Sequence, residues 1–144
     1  MNTKLIHYGS SKFDPDLFKG VENRKYWNKP RFGLWTSPID SNYGWKDWCE
    51  SEDFALSSLE KSYTVRLKKF SKVLTINNKA DLDKLEWLSS MSIIYPDFES
   101  ISKKYDAIHL TEDGVWSTRL LCQEKSFNGW DCESVLIMNK ECIE

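Results

Sequence analysis

The alternation of apolar and polar residues predicts short β-strands along much of the chain. Residues 4–9 and 32–37 are compact apolar segments, each closed by loop-forming residues or a proline. In residues 62–70, side chains of high β-propensity alternate with polar neighbours, as in a half-buried strand. The same criteria predict further strands at 73–76, 107–111, 115–123 and 134–138.

Helical periodicity is confined to a few segments. Residues 44–54 place Trp45, Trp48 and Cys49 at i, i+3 and i+4, with acidic residues outside this face. Residues 80–91 carry apolar residues at a three-residue spacing and follow two asparagines that can cap a helix. The stripe consists of Leu82, Leu85, Leu88 and Met91, and the caps are Asn77 and Asn78.

These elements predict one α+β domain over residues 1–144. A further short helix is expected after Pro96 and Asp97, and residues 11–31 are expected to be irregular with one short helix. Because the helices are grouped and do not alternate strictly with the strands, we expect a mixed or antiparallel sheet flanked by short helices. No repeat or flexible linker indicates a second domain.

Composition narrows the function classes. The 144 residues are 40% hydrophobic and carry 20 Lys and Arg against 22 Asp and Glu, so the net charge of -2 provides no global attraction to nucleic acid or anionic membranes. No apolar run approaches the length of a membrane span, and a soluble, cytoplasmic protein is expected. Aromatic residues make up 14% of the chain, with seven Trp, which favours a ligand groove.

Common catalytic motifs are missing from the sequence. The four cysteines do not show the spacing of zinc ligands, and we expect reduced thiols and no metal. Neither the glycine-rich phosphate loops nor the serine hydrolase and zinc protease signatures are found. Chemistry must therefore be sought among isolated polar residues at strand ends.

Three segments place such residues beside predicted strands. His7 ends the first strand and is followed by Tyr8, Gly9 and Ser10, where a ligand can approach the backbone. Trp35 lies within the second strand among small hydroxyl residues and could stack on a flat ring. Glu133 directly precedes the last apolar strand, where a carboxylate can project into a cleft.

Together these segments resemble the ADP-ribosyltransferase family, in the branch of diphtheria toxin and the poly(ADP-ribose) polymerases. That branch carries a histidine, an aromatic residue and a glutamate on three separate strands in this order. The sequence departs from the pattern by Tyr8, where the polymerases usually have glycine, and by Trp35, which replaces the usual tyrosine. The resemblance implies a split β-sheet core and an NAD-binding set of His7, Tyr8, Gly9, Ser10, Gly33, Trp35, Ser37 and Tyr43.

The resemblance also implies an activity. NAD would be the substrate, its bond to nicotinamide would break through an oxocarbenium-like transition state, and Glu133 would be the catalytic residue. ADP-ribose would pass to a protein or nucleic-acid acceptor. The small size is similar to that of toxins from toxin–antitoxin or phage-conflict systems, which implies an antitoxin or inhibitor protein as a partner.

Two other function classes remain open. His109-Leu110-Thr111 has the pattern of the two-histidine phosphoesterases, with His7 as the second histidine, although Gly9 stands where the second hydroxyl residue is required. RNA 2′-phosphotransferases are related to the transferase class and are a further possibility. A non-catalytic interaction module is the second of these classes, because the tryptophans near Gly44 could form a binding face.

Overall fold

The computed structural model describes residues 1–119 and 125–144, and it has the predicted α+β class. In this part of the chain, none of the helices has both the length and the apolar character needed to cross a membrane. The strands are β1 (Leu5–Tyr8), β2 (Leu34–Pro38), β3 (Ser62–Val65), β4 (Val73–Ile76), β5 (Trp87–Ser90), β6 (Ile93–Pro96), β7 (Ala107–Leu110) and β8 (Ser134–Ile137). The α-helices are α1 (Trp45–Glu52), α2 (Phe98–Ile101) and α3 (Glu112–Thr118), and 3₁₀ segments cover Leu56–Glu60, Lys79–Lys84 and Lys140–Cys142.

Six strands form a mixed sheet in the order β3-β1-β2-β8-β7-β4. All neighbouring pairs are antiparallel except β4 and β7, which are parallel. All four residues of β8 are buried, as expected for a strand covered on both faces at the centre of a sheet. β5 and β6 form a separate antiparallel hairpin.

Apolar side chains pack on both faces of this sheet. Leu136 belongs to a cluster that includes the aromatic side chains of Phe98, Phe127 and Trp130. Its neighbours in sequence, Val135 and Ile137, belong to a second cluster. Because successive side chains of a strand point to opposite faces, β8 contributes to both clusters.

The ladder between β1 and β2 is short. It comprises the pairs Leu5 with Pro38 and Ile6 with Ser37, whereas β1 stays paired with β3 along its whole length. Beyond Ile6, therefore, β1 no longer has backbone pairing to β2. The candidate site lies at this point.

The predicted helix over 80–91 is wrong. A 3₁₀ segment at Lys79–Lys84 is capped by Asn78, and β5 and β6 follow it. The two residues between these strands, Met91 and Ser92, have φ of 51° and 66°, as in a hairpin turn whose central residues both have positive φ. The three-residue apolar spacing therefore arose from a 3₁₀ segment and a strand placed end to end.

Several other boundaries differ from the predictions. The hairpin arm expected over 115–123 is wrong where the structure describes it, because residues 112–118 form α3, with the Thr111 hydroxyl accepting the Gly114 N–H at 3.1 Å. Residues 120–124 lie outside the described part. The strand at 62–70 stops at Val65, and residues 11–31, all of them described, form turns and the isolated bridge Glu22–Arg31 without a helix.

Gly114 lets α3 approach β4 closely, and this contact yields a first prediction. A Cβ at this position would lie 2.1 Å from the carbonyl oxygen of Ile76 and 2.9 Å from Cδ1 of Leu110. Gly114→Ala should therefore lower the free energy of unfolding by about 3 kcal/mol, since α3 must move away from the sheet. Urea denaturation measures this change.

Gly20→Ala is the matched control. No atom lies within 4 Å of a Cβ built there, and the residue is exposed. We expect this variant to be as stable as the parent within about 0.5 kcal/mol. Equal stability of the two variants would contradict the close packing of α3.

Candidate functional site

A cleft of about 310 Å³ lies beside β1, β2 and the segment that leads into β8. Its volume is near the lower end of the range for small-molecule sites. Three tryptophans, Trp35, Trp45 and Trp130, contribute to its aromatic lining. Polar lining comes from His7, Ser37 and the pair Lys29 and Asp131, so the cleft combines flat apolar walls with a few polar groups.

His7 lies where the ladder between β1 and β2 ends. Its Nδ1 is 2.8 Å from the carbonyl oxygen of Trp35, so the imidazole takes the place of a backbone donor between the two strands. The other side of the ring is covered by Tyr63, with 5.0 Å between ring centroids. This arrangement fixes the ring and commits Nδ1 to the fold, which leaves Nε2 as the nitrogen for a ligand.

Trp35 is held rigidly from two sides. Its ring packs edge-to-face with Trp130, with 4.7 Å between centroids. The Lys29 ammonium lies 5.9 Å from the Trp35 centroid and 3.5 Å from the Asp131 carboxylate. A ring held by an aromatic neighbour and a cation offers a pre-ordered wall for a flat ligand.

Glu133 connects four parts of the chain. Its backbone N–H donates to the carbonyl of Tyr43, and its own carbonyl accepts the Ser37 hydroxyl, both at 2.9 Å. One carboxylate oxygen accepts the Ser41 hydroxyl at 2.5 Å, and the other lies 2.7 Å from Nε2 of His109 on β7. The side chain is only 14% exposed and its position is therefore closely determined.

Electrostatics keep the Glu133 carboxyl ionised. Burial by itself raises its pKa, but the hydrogen bonds from His109 and Ser41 and the nearby His109 charge outweigh burial and hold the pKa below its ordinary value. Both oxygens retain lone pairs, since a carboxylate can accept about four hydrogen bonds. Glu133 is thus an anion that can still accept a hydrogen bond from a ligand.

The structure brings several of the predicted site residues together. His7, Tyr8, Trp35 and Ser37 all line the cleft. The hydroxyl oxygen of Ser37 also accepts the N–H of Trp45 at 3.0 Å, so it anchors α1 beside the cleft. Glu133 adjoins this group through Ser37, although its carboxylate is turned toward Ser41 and His109 and is not among the described residues that line the cleft.

The remaining predicted residues occupy supporting positions. Gly9 donates its N–H to the carbonyl of Lys61, and Ser10 hydrogen-bonds with the side chain of Tyr63. Gly33 has φ of 71° and packs against β8, where a Cβ would lie 2.9 Å from the Leu136 side chain. The Tyr43 ring packs against Trp116, with 5.2 Å between centroids.

The sequence pattern does not predict that His109 contacts Glu133. His109 is 24 positions from Glu133, and only the antiparallel pairing of β7 with β8 brings the two side chains together. The contact of Ser41 with the carboxylate is likewise not predicted from the sequence. No local pattern marks either contact, because both depend on strand pairing and on the course of the 39–44 loop.

The cysteine at the cleft is unsuited to act as a nucleophile. Burial raises the pKa of Cys132 to about 11, despite hydrogen bonds with Ser134 and Ser37. The Cys49 thiol has a raised pKa through burial and the nearby Asp131 and Glu50 charges. Both thiols therefore stay protonated near neutral pH. Cys122 lies outside the described residues, among which no group of three metal-ligating side chains occurs.

The chain was compared with known proteins, and no family model, curated protein sequence or solved structure matches it. What the site can do follows from its own chemistry. It offers an aromatic cleft, a histidine with one committed nitrogen, and the ionised carboxylate of Glu133, a residue whose backbone is hydrogen-bonded to Ser37 of the cleft lining. These are groups that bind a flat ring and stabilise a neighbouring positive charge.

The His109 contact yields a second prediction. His109→Leu removes one partner of a poorly exposed carboxylate, so the Glu133 pKa should rise and stability at pH 7 should fall by about 2 kcal/mol. His109→Gln can still donate a hydrogen bond, so it should retain part of the lowered Glu133 pKa and part of the stability at pH 7. Carboxyl carbon chemical shifts against pH measure the first quantity, and urea denaturation the second.

The sign of the pH dependence follows from the lowered pKa. The stabilisation by ionised Glu133 is present above the pKa of the unfolded chain and is lost as pH falls through the folded pKa. In the His109→Leu variant, the loss of stability caused by protonation of Glu133 at low pH should be absent. Identical carboxyl titrations in the parent and the leucine variant would contradict the pairing.

Proposed function

We propose that the chain is an NAD-dependent ADP-ribosyltransferase. The observation that carries the proposal is the adjacency of β1, β2 and β8, which brings His7, Trp35 and Glu133 to one region of the sheet although they span most of the sequence. The aromatic cleft beside these strands supports it further. A dinucleotide offers two flat rings and two riboses to such a cleft.

The cleft residues suit the parts of NAD. Trp35 is the ring on which the nicotinamide stacks, because its orientation is fixed by Trp130. The free nitrogen of His7 hydrogen-bonds a ribose hydroxyl. Among the described residues that line the cleft, Lys29 is the lysine available to the diphosphate, with Asp131 as its partner before the ligand binds.

Glu133 performs the catalytic role. When the bond between nicotinamide and ribose lengthens, positive charge develops on the ribose and a fixed carboxylate stabilises it. An unused lone pair of the Glu133 carboxylate accepts a hydrogen bond from the 2′-hydroxyl of the same ribose. Ser41 and His109 hold the carboxylate in place, so little reorganisation is needed in the transition state.

The two-histidine phosphoesterase has less support. Two histidines that act as acid and base must both reach one phosphate. Nδ1 of His7 is bonded to the Trp35 carbonyl, and Nε2 of His109 is bonded to Glu133. β2 and β8 also lie between their strands, which places the backbones about 14 Å apart at normal strand spacing.

The proposal predicts NAD consumption that depends on Glu133. With labelled NAD and a lysate, with and without RNase, the parent should release nicotinamide. Glu133→Gln should lower single-turnover release by about 10² to 10³-fold while NAD affinity changes little, because the charge matters most in the transition state. Quenched-flow release and calorimetric titration measure the two quantities.

Glu141→Gln is the matched control. Glu141 is exposed and lies beyond the opposite end of β8. Its variant should retain the parental rate. A folded parent that neither cleaves NAD nor shows an NAD-dependent thermal shift would contradict the proposal and favour an interaction module.

A further prediction concerns ground-state binding. His7→Ala should weaken NAD binding about tenfold, because one hydrogen bond to the ribose is lost. His7→Asn retains a short polar side chain and should weaken binding less. The thermal unfolding temperature of both variants shows how much stability is lost with the hydrogen bond to Trp35, separately from the lost ligand contact. Unchanged NAD affinity in His7→Ala would show that His7 does not bind NAD.

A further inference from the structure

A partly exposed aromatic surface adjoins the cleft along α1. Trp45 and Trp48 are stacked, with 5.2 Å between centroids and 18° between planes. Phe54 packs edge-on against both rings and is 51% exposed. We name these three residues the α1 ledge. Trp45 also lines the cleft, so the ledge is continuous with it.

The rim of the α1 ledge is strongly acidic. Residues 46–53 contain one cation, Lys46, which lies 3.8 Å from the Glu50 carboxylate. The negative field reaches the cleft, since the Tyr8 pKa is raised by burial and then by the charges of Asp47 and Glu50. The acidic side chains of the rim, all exposed, are Asp47, Glu50, Glu52 and Asp53.

Two exposed tryptophans in the described part of the chain are covered by the protein's own cations. The Arg24 guanidinium lies 4.5 Å from the Trp27 centroid, and the Arg119 guanidinium lies 5.0 Å from that of Trp116. Each of these tryptophans is more than half exposed. In the described part of the chain, no cation is found over the rings of the α1 ledge, which contact aromatic side chains.

We propose that the α1 ledge binds an arginine-bearing segment of a partner protein. A guanidinium can stack on a tryptophan face and at the same time pair with a carboxylate at the rim. Arg24 makes the first of these contacts, stacking on the face of Trp27. This assignment rests on the proposed function: the bound segment belongs to the acceptor protein. Because the ledge is continuous with the cleft, the bound segment lies close to NAD.

The negative charge of the rim distinguishes among the molecules that could bind the α1 ledge. A nucleic acid would bring phosphates against four carboxylates, which is repulsive. A second copy of the chain that docked through the same ledge would bring two acidic rims together, with the same result. An arginine-bearing segment removes the repulsion within the rim and adds attraction, so its binding should weaken as salt rises.

Binding without NAD tests the surface directly. The probe is a short peptide of alternating glycine and arginine, titrated while tryptophan fluorescence is recorded. The matched peptide with citrulline in place of arginine keeps the shape and removes the charge. We expect the arginine peptide to bind at least about tenfold more tightly than the citrulline peptide at low salt and to lose this advantage at high salt.

Variants then locate the binding surface. Glu50→Lys and Glu52→Lys should each weaken binding of the arginine peptide about fivefold, because each replaces an attraction by a repulsion. Trp48→Leu keeps apolar packing, removes the ring face and should weaken binding by a similar factor. Glu141→Lys is the control with the same charge change away from the ledge and should bind like the parent. Circular dichroism checks that each variant folds.

Specific outcomes would overturn the inference. Equal binding of the arginine and citrulline peptides would do so, as would tighter binding of a single-stranded RNA than of the arginine peptide. Dimerisation that Trp48→Leu abolishes would assign the ledge to a second copy. Peptide binding with no NAD cleavage would refute the transferase while leaving the docking surface, whereas NAD cleavage without peptide binding would refute the docking surface alone.

Discussion

The buried carboxylate of Glu133 requires partners, and its partners hold the centre of the molecule together. Burial of an unpaired charge is costly, so the hydroxyl of Ser41 and the imidazole of His109 must both be in place when β8 joins the sheet. The backbone of the same residue is bonded to Tyr43 and Ser37. One residue thereby fixes β7, β8, the end of β2 and the 39–44 loop, and that loop leads into α1.

The cleft and the α1 ledge share this support but differ in electrostatic character. Lys29, paired with Asp131, provides a positive charge at the cleft, whereas α1 provides an excess of negative charge at its margin. Such a division suits two ligands of opposite charge that must meet at one place. In the proposed reaction these are an anionic dinucleotide and a cationic protein segment.

Local patterns predicted the strands that matter most for the site, because β1, β2, β7 and β8 are short apolar segments with clear boundaries. They failed at β5 because the following turn, Met91-Ser92, adopts positive φ without the glycine or asparagine that usually marks it. A glycine such as Gly114 is typical of a turn in sequence, but here it serves a close contact between α3 and β4. The partnership of Glu133 with His109 depends on strand register, which no single segment encodes.

The pairing of Thr36 with Val135 has a consequence for how the chain acquires its structure. These residues are 99 positions apart, and the strands that carry them are the two innermost of the sheet. Closing so large a loop is entropically unfavourable until the whole intervening chain has begun to pack, so formation of this ladder should be a slow, late event. Trp35 of the cleft wall lies on β2, and the Glu133 carboxylate directly precedes β8. Folding intermediates that lack this ladder therefore have no functional site.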